Sequence, residues 1–350
     1  MKRVLLKSPL NFVVEEAPMP APGVGEALVR VTKVGVCGSD MHLYCLGKIG
    51  DIVMTKPLVI GHECVGVVAG VGHGVDASLV GKRVAIEPQL SCGKCRWCVG
   101  GTQNLCPYHT FLGLPPTDGA MQEYMVHPAR FLEPLPDSIT DEAGAAMEPM
   151  AVALHATRLV KIRPGQSVIV LGCGVLGTCA LMLLRLYRGL NVVAVDVLPE
   201  RLERAKALGA KTLLAEPGSP QKVWREAVDA VGGLGADIVF EACGVEETLR
   251  GMCEVAGPGG HIVVIGSNPE DKVEFRSGAA RRKGVTLRFV RRSLNALGDV
   301  LALTQKGLID PGSIVTHRFG ASAAREAFEL VGNYADGVLK AVIDMERWDT

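Results

Sequence analysis

A glycine-rich segment near the middle of the chain constrains the fold more than any other feature. It reads Gly172-Cys173-Gly174-Val175-Leu176-Gly177, follows an apolar run at 167–171, and opens an apolar stretch with helical character. Asp196 ends the next apolar run, about 20 residues further on. Alone, G-x-G-x-x-G is a weak signal. Between a strand and a helix, with an acidic residue at this distance, it predicts a βαβ unit that binds a dinucleotide.

The residue at the end of the second strand selects between two dinucleotides. A carboxylate at Asp196 accepts hydrogen bonds from the ribose and repels a 2′-phosphate, so the sequence favours NAD over NADP; the alternative is a surface aspartate after a strand. Arg201 either lies beside the adenosine ribose or is a solvated helix arginine. The residues that we expect to contact the cofactor are Gly172, Gly174, Leu176, Gly177, Asp196, Arg201, Gly266 and Ser267.

The apolar pattern changes at about residue 150. From there short apolar runs alternate with helical periods, which predicts a doubly wound α/β domain with strands at 167–171, 191–196, 212–214, 236–240, 261–265 and 285–289. Residues 4–36 instead alternate apolar and polar positions, which is typical of antiparallel strands in a small barrel. A chain of 350 residues favours two domains. We therefore predict a β-rich domain formed by 1–149 and 286–350, with a dinucleotide-binding domain inserted at 150–285.

Chemically active side chains cluster in the first of these domains. Cys37-Gly38-Ser39-Asp40-Met41-His42 brings a thiol, a hydroxyl, a carboxylate and an imidazole together, while His62, Glu63 and Glu148 add an imidazole and two carboxylates. One thiolate, one neutral imidazole and one carboxylate, with a fourth position open, is the composition of a catalytic zinc site. The sequence therefore predicts such a site here.

The same segment offers a route for a proton. Ser39 and His42 are placed to carry a proton away from a substrate, although they could also be a turn serine and a loop histidine. Asp40 is expected to orient His62 rather than to touch substrate.

Four further cysteines, Cys92, Cys95, Cys98 and Cys106, lie within fifteen residues. Close-set thiols on turns favour a tetrahedral structural zinc, because the metal would stabilise a loop that has no apolar core of its own. The alternative is a pair of disulfides or idle thiols.

Composition excludes several classes of partner. Lys plus Arg and Asp plus Glu both number 37, which gives no reason to expect nucleic acid or an anionic membrane as partner, and a small molecule is favoured. Eleven cysteines, several of them in apolar contexts, fit a reducing compartment better than a secreted disulfide framework. The apolar run at the start is too short for a signal peptide, and 168–184 is interrupted by glycines, so we expect a cytoplasmic protein without a membrane span.

The whole chain resembles the zinc-containing medium-chain alcohol and polyol dehydrogenases, most closely the sorbitol and xylitol dehydrogenase branch. The likeness rests on 35–40, 61–63, the four-cysteine segment, 115–119, 148–155 and 315–319. It implies a GroES-like catalytic domain with an inserted Rossmann domain, and a dimer or tetramer. It also implies zinc held by Cys37 and His62, with Glu63 and Glu148 as direct or water-mediated partners.

The resemblance further implies oxidation of a secondary alcohol, a polyol such as sorbitol or xylitol, to a ketone with NAD as hydride acceptor. Arg292 looks like the family's substrate-contacting arginine, but Arg291 and Ser293 stand where aromatic neighbours are expected and Leu43 stands where a tyrosine is expected. The alternatives are threonine or butanediol dehydrogenase activity, and a non-catalytic module that binds zinc and NAD. Threonine dehydrogenases tend to carry Asp-Pro where this chain has Glu148-Pro149, and a binding module would not need the Ser39 and His42 relay.

Overall fold

The computed structural model describes residues 1–216, 218–270 and 272–348, and the chain divides into two compact units. The first unit comprises Met1–Glu148 together with the chain from Leu297 onward, and the second comprises Pro149–Ala296. The second unit therefore extends past residue 285, the limit given by the sequence, because the strand that follows residue 285 joins its sheet.

The first unit is built mainly on antiparallel strands, as the alternation of apolar and polar residues predicts. Its strands before the division are β1 (Lys2–Ser8), β2 (Asn11–Glu16), β3 (Glu26–Gly35), β4 (Lys48–Ile49), β5 (Ile52–Val53), β6 (Glu63–Val71), β7 (Arg83–Ile86), β8 (Gln89–Leu90), β9 (Thr110–Phe111), β10 (Tyr124–Pro128) and β11 (Leu132–Pro134). Its helices are α1 (Gly38–Leu46), α2 (Arg96–Val99) and α3 (Asp141–Ala145), and the division falls within α4 (Met147–Arg158).

The second unit is a parallel sheet with helices between its strands. The strands are β12 (Ser167–Leu171), β13 (Asn191–Asp196), β14 (Lys211–Leu214), β15 (Ala236–Glu241), β16 (Ala256–Val264) and β17 (Thr286–Phe289). The helices are α5 (Val175–Leu184), α6 (Pro199–Ala207), α7 (Pro220–Ala230), α8 (Glu246–Val255) and α9 (Ser277–Lys283). The strands lie in the order β14-β13-β12-β15-β16-β17. From β12 the chain first adds strands on one side and then, beginning with β15, on the other, and doubly wound sheets bind ligands at this switch point. The predicted doubly wound fold is confirmed.

Alternate residues of each central strand face two separate apolar cores in this unit. Ile169 of β12 belongs to one core with Trp224 of α7, while Val168 belongs to the other with Leu181 of α5. The stretch 168–184 is thus a buried strand and a buried helix. Among the described residues, no helix is both long enough and apolar enough to cross a membrane.

After Ala296 the chain returns to the first unit through α10 (Leu297–Gln305), β18 (Val315–Gly320), α11 (Ala324–Gly332) and β19 (Lys340–Asp344). β19 pairs antiparallel with the end of β3, so that Val342 lies opposite Gly35, and β18 lies parallel to β19. The sheet follows the order β11-β7-β6-β3-β19-β18, with β10 also paired to β3. β19 therefore lies beside the end of β3, two residues before Cys37.

Helix α1, which carries Ser39 and His42, is fixed by aromatic packing. Tyr44 of α1 stacks on Phe12 of β2 with ring centroids 4.9 Å apart and lies 5.0 Å from the ring of Phe328 in α11. Such pairs contribute about 0.5–1.5 kcal/mol each beyond the area that they bury. The helix is thereby held on the sheet by elements from both ends of the chain.

Candidate active site and metal centres

Two strand ends of the first unit bring three predicted metal ligands together. Cys37 caps α1 directly after β3, and Glu63 begins β6 opposite Gly35 of β3, with His62 one residue earlier. One potential ligand atom from each of Cys37, His62 and Glu63 lies within 4.8 Å of the others. His62 is 3% exposed and Glu63 is 1% exposed, so the group is largely shielded from water.

A buried carboxylate fixes the geometry of this group. Asp40, which is 1% exposed, accepts a hydrogen bond from the backbone N–H of Cys37 at 3.1 Å through Oδ2. Its Oδ1 accepts from the backbone N–H of Gly61 at 3.3 Å and lies 3.3 Å from Nδ1 of His62. Asp40 therefore joins the cysteine loop to the histidine loop and places a carboxylate oxygen beside the imidazole of His62. That it orients His62 stays a prediction.

The donor set fits zinc. Burial by itself would lower the pKa of His62, but the charges of Asp40 and Cys37 raise it well above its ordinary value. That environment stabilises a positive charge, which a divalent cation supplies once the imidazole has given up its proton. A thiolate, an imidazole and a carboxylate are the ligand types of catalytic rather than structural zinc sites.

Glu148 lies on the first turn of α4, and the three-residue group found among the described residues does not include it. Burial raises the pKa of Glu148 to about 7, the charge of His62 lowers it, and the charge of Glu63 raises it, so Glu148 is close enough to feel both. Geometry thus favours Glu63 as the direct carboxylate ligand. A direct role for Glu148 stays a prediction.

The two proposed relay residues lie on α1, whereas the predicted substrate arginine belongs to the second unit. Ser39 donates a hydrogen bond from Oγ to Sγ of Cys37 at 3.4 Å, and His42 follows one turn later on α1. Burial lowers the pKa of His42, and its Nδ1 has no hydrogen-bond partner within the described part of the chain. Arg292 belongs to the second unit, after β17, with a left-handed φ of 53°.

The four-cysteine segment forms a second candidate metal centre. The sulfur atoms of Cys92, Cys95, Cys98 and Cys106 all lie within 4.8 Å of one another, with close pairs at 3.4, 3.7 and 3.9 Å. Four sulfurs about 2.3 Å from a tetrahedral zinc would be about 3.8 Å apart, whereas a disulfide needs about 2.05 Å. The backbone N–H of Lys94 lowers the pKa of Cys92 to about 6, whereas burial raises the pKa of Cys98 to about 11. All eleven cysteines are free, so this geometry favours zinc over disulfides.

The glycine-rich turn of the second unit has the shape that a pyrophosphate site requires. Gly172 has a φ of 93°, and a Cβ at this position would collide with Sγ of Cys243. A Cβ at Gly177 would collide with the carbonyl oxygen of Gly172. The turn leads into α5, with Leu176 in its first turn, so backbone N–H groups at the helix start are available to an anion.

Asp196 ends β13 beside this turn. Its Oδ2 accepts a hydrogen bond from the backbone N–H of Cys173 at 2.6 Å, and its Oδ1 accepts from that of Leu198 at 2.9 Å. The guanidinium group of Arg201 lies 4.0 Å from Oδ2. Asp196, Arg201 and the glycine turn are thus neighbours.

Glu241, a residue that the sequence did not single out, organises the remaining edge of this site. It is fully buried at the end of β15, and its Oε1 accepts hydrogen bonds from the backbone N–H of Cys243 at 3.0 Å and of Gly244 at 2.8 Å. Gly244 packs so closely on Gly266 and Ser267 that neither glycine could carry a side chain without collision. A glutamate directly after the apolar run at 238–240 is the signal that could have revealed it.

Two family models and several known proteins are similar to this chain. The family model described as alcohol dehydrogenase GroES-like domain matches residues 23–137, and the one described as zinc-binding dehydrogenase matches residues 175–306. Sorbitol dehydrogenase of Bacillus subtilis (strain 168) is 30% identical over 99% of this chain and 98% of that protein. Sorbitol dehydrogenase of Gallus gallus is 36% identical over 90% of this chain and 88% of that protein.

Two solved structures that resemble this chain contain a nicotinamide cofactor. An alcohol dehydrogenase of E. coli CFT073, solved with NADH, has a TM-score of 0.89 at 30% identity and covers 99% of both chains. A zinc-binding dehydrogenase of Sinorhizobium meliloti 1021, solved with NADP, has a TM-score of 0.87 at 28% identity and covers 98% of both chains. This chain is therefore an oxidoreductase of the zinc-containing medium-chain alcohol and polyol dehydrogenase family, with zinc and a nicotinamide dinucleotide as the expected cofactors.

Proposed function

We propose that this protein oxidises a secondary alcohol of the polyol class to a ketone and transfers the hydride to NAD. The observation that carries the proposal is the group of Cys37, His62 and Glu63, whose ligand atoms lie within 4.8 Å of one another beside a helix that bears Ser39 and His42. The names of the two sorbitol dehydrogenase relatives support the polyol class. Because the relatives are enzymes, they favour catalysis over a binding module.

The mixed group would hold the catalytic zinc, which supplies Lewis-acid activation of a substrate hydroxyl. Ser39 and His42 would then remove the proton that the substrate hydroxyl loses. They are three residues apart on α1 and therefore share a face of the helix. The hydroxyl of Ser39 can accept the proton that the substrate loses and pass its own toward His42. Burial lowers the pKa of His42 and so favours the neutral imidazole, the form in which one ring nitrogen can accept a hydrogen bond.

The remaining hydroxyl groups of a polyol need partners of their own. We assign Glu148 as an acceptor beside the metal group and Arg292 as a donor to a further hydroxyl. A site built to bind hydroxyls rejects analogues that lack them by several orders of magnitude, because its polar groups are otherwise left unpaired. Vicinal polyols are therefore expected to be oxidised with a much higher kcat/KM than ethanol.

Asp196 supports NAD rather than NADP as the acceptor. Both of its oxygens are held by backbone N–H groups of the turns beside the glycine motif, so the carboxylate is fixed where a ribose hydroxyl would bind and a phosphate would be repelled. The cytoplasmic location and the dimer or tetramer expected from the sequence stay predictions.

The proposal is tested by measuring reduction of NAD and of NADP with sorbitol, xylitol, 2,3-butanediol, threonine and ethanol. We expect the highest kcat/KM with a four- to six-carbon polyol and NAD. Arg292→Ala should raise KM for the polyol more than it lowers kcat, because it removes binding remote from the reacting carbon. Arg288→Ala, at an exposed position of β17, is the matched control.

Three outcomes would count against the proposal. Comparable kcat/KM for ethanol and polyols would remove the polyol assignment, and an Arg292→Ala variant with unaltered selectivity would remove the role of the arginine. A clear preference for threonine or butanediol would replace the substrate class while leaving the metal chemistry in place.

A further inference from the structure

Lys340 is a fully buried lysine next to the metal group, and neither the sequence nor the proposed reaction gave it a role. It begins β19 and is 1% exposed. Its Nζ donates a hydrogen bond to the carbonyl oxygen of Val36 at 3.0 Å and forms an ion pair with Oε2 of Glu63. Lysines are almost never fully buried unless their charge is paired, so this contact requires an explanation.

The backbone is shaped to allow the contact. Glu63 lies opposite Gly35 in the pairing of β6 with β3, and Gly35 lies opposite Val342 in the pairing of β3 with β19. A Cβ at position 35 would collide with Oε2 of Glu63. The missing side chain therefore opens a path over β3 along which the carboxylate of Glu63 reaches Lys340.

The ion pair also affects the charge of the site. The ammonium group of Lys340 contacts Oε2 of Glu63, one of the three proposed ligands, where both side chains are almost fully buried. It offsets part of the negative charge that a thiolate and a carboxylate bring into this buried site.

We propose that Lys340 is a positioning residue of the metal centre: by holding Oε2 of Glu63 across Gly35, it leaves this carboxylate only one oxygen to offer the metal. The inference rests on the proposed zinc site. A carboxylate with both oxygens free can bind a divalent cation through both, and so fill a position that a substrate hydroxyl needs. Lys340 keeps that position open.

The test uses protein that carries zinc in the four-cysteine lobe and cobalt in the mixed site, because the visible absorption of cobalt weakens as its coordination number rises. Lys340→Met should lose intensity in the visible bands while it keeps the near-ultraviolet band of the Cys37 thiolate. Lys340→Arg, which retains the charge, should recover much of the intensity. Gly35→Ala should weaken the bands as Lys340→Met does, because it displaces the carboxylate of Glu63 from Lys340.

A double-mutant comparison identifies the route of the effect. If Lys340 acts through Glu63, then adding Lys340→Met to Glu63→Gln should leave the spectrum of Glu63→Gln unchanged. Lys33→Met is the matched control, since Lys33 of β3 pairs with Asp344 of β19 at 2.7 Å and neither residue belongs to the metal group. It should leave the cobalt bands unaltered.

The outcomes separate this inference from the proposed function. If Lys340→Met keeps the wild-type bands, Lys340 is only a structural partner of Glu63 and the inference is wrong. If Lys340→Met does not fold, Lys340→Gln and Gly35→Ala decide the same question. If the wild-type protein shows no thiolate band at the mixed site, the zinc site itself fails, whatever the variants do.

Discussion

Oδ1 of Asp40 lies 3.3 Å from Nδ1 of His62, while Oδ2 of the same side chain accepts a hydrogen bond from the backbone N–H of Cys37. One buried carboxylate therefore contacts two residues that are proposed ligands and lie 25 residues apart in the sequence. Partners of this kind raise the basicity of a ligating imidazole and fix which of its nitrogens carries the proton.

Asp40→Asn should weaken binding of zinc at the mixed site by about 10–100-fold, because the amide keeps the shape of the side chain but loses its charge. Competition with a chelator measures the change. The zinc of the four-cysteine lobe should be retained. Asp76→Asn is the control, since Asp76 is an exposed carboxylate that accepts a hydrogen bond from the backbone N–H of Ser78 in its own turn. Equal zinc retention by both variants would contradict the prediction.

Cys95→Ser should release one of the two metal ions that the two clusters predict and leave the other bound. Cys95 lies 3.4 Å from Cys98 and 3.7 Å from Cys106 in sulfur-to-sulfur distance, so its loss removes one corner of the tetrahedron. The lobe around residues 90–107 should become sensitive to proteolysis, because it depends on the metal for its fold. Cys45→Ser, at an exposed free cysteine, should change neither property. A wild-type content of one zinc per chain would refute the structural site.

His127 should make the first unit sensitive to mild acid. Burial lowers the pKa of His127 to about 4, and its Nε2 donates a hydrogen bond to the carbonyl oxygen of Glu87 at 3.0 Å. The unfolded chain binds this proton from about pH 6.5 downward, whereas the folded chain resists it until about pH 4. The free energy of unfolding should therefore fall as the pH drops through this window, by roughly 3 kcal/mol in all.

His127→Gln tests that assignment through the change in the free energy of unfolding with pH, rather than through its value at one pH. Glutamine can still donate to Glu87 but does not titrate, so the free energy of unfolding should change less between pH 6.5 and pH 4 than in the wild type, by about the same 3 kcal/mol. Urea unfolding at several pH values measures it. The same change at His73, which is exposed, should leave the slope as it was. An unaltered slope in His127→Gln would show that the acid sensitivity lies elsewhere.

The sequence predicts the second unit well because its strands are short, apolar and separated by helical periods. The strands at 167–171 and 191–196 match β12 and β13. β16 begins at Ala256, five residues before the expected start, because the glycines and the proline at 257–260 suggest a turn. Pairing with β15 keeps that segment extended, with an irregular register between Ala236 and Ile238. Tertiary pairing thus overrides local preference there.

Positioning residues were harder to predict than ligands. Cys37 and His62 could be proposed as ligands from their chemistry and spacing. The contact of Lys340 with Glu63, by contrast, joins residues 277 positions apart. It depends on the return of the last strand to β3 and on the missing side chain at Gly35. A lysine at the start of an apolar strand is the signal that could have drawn attention to Lys340, but that signal names no partner.

The last prediction concerns the choice of cofactor. Asp196→Ser should narrow the preference for NAD over NADP, because the serine neither repels a 2′-phosphate nor accepts a charged hydrogen bond from the ribose. Charge-assisted hydrogen bonds of this kind contribute about 1.5–3 kcal/mol, which corresponds to a change of roughly tenfold or more in the ratio of kcat/KM for the two cofactors. Arg201 strengthens the expectation, because its guanidinium group lies 4.0 Å from the carboxylate and would then face the phosphate.

A second variant separates the effect of Arg201 on cofactor preference from the effect of losing the Asp196 carboxylate. In Asp196→Ser combined with Arg201→Ala, the preference for NAD should still fall but the gain in NADP affinity should be smaller, because no cation remains to pair with the 2′-phosphate. Asp229→Ser, at an exposed position on α7, controls for the loss of a charge. Since Asp196 also accepts hydrogen bonds from the turns at Cys173 and Leu198, some loss of affinity for both cofactors is expected. The deciding quantity is therefore the ratio of the affinities for NAD and NADP, measured by fluorescence titration. A wild-type protein that binds NADP as tightly as NAD would show that Asp196 does not select the cofactor.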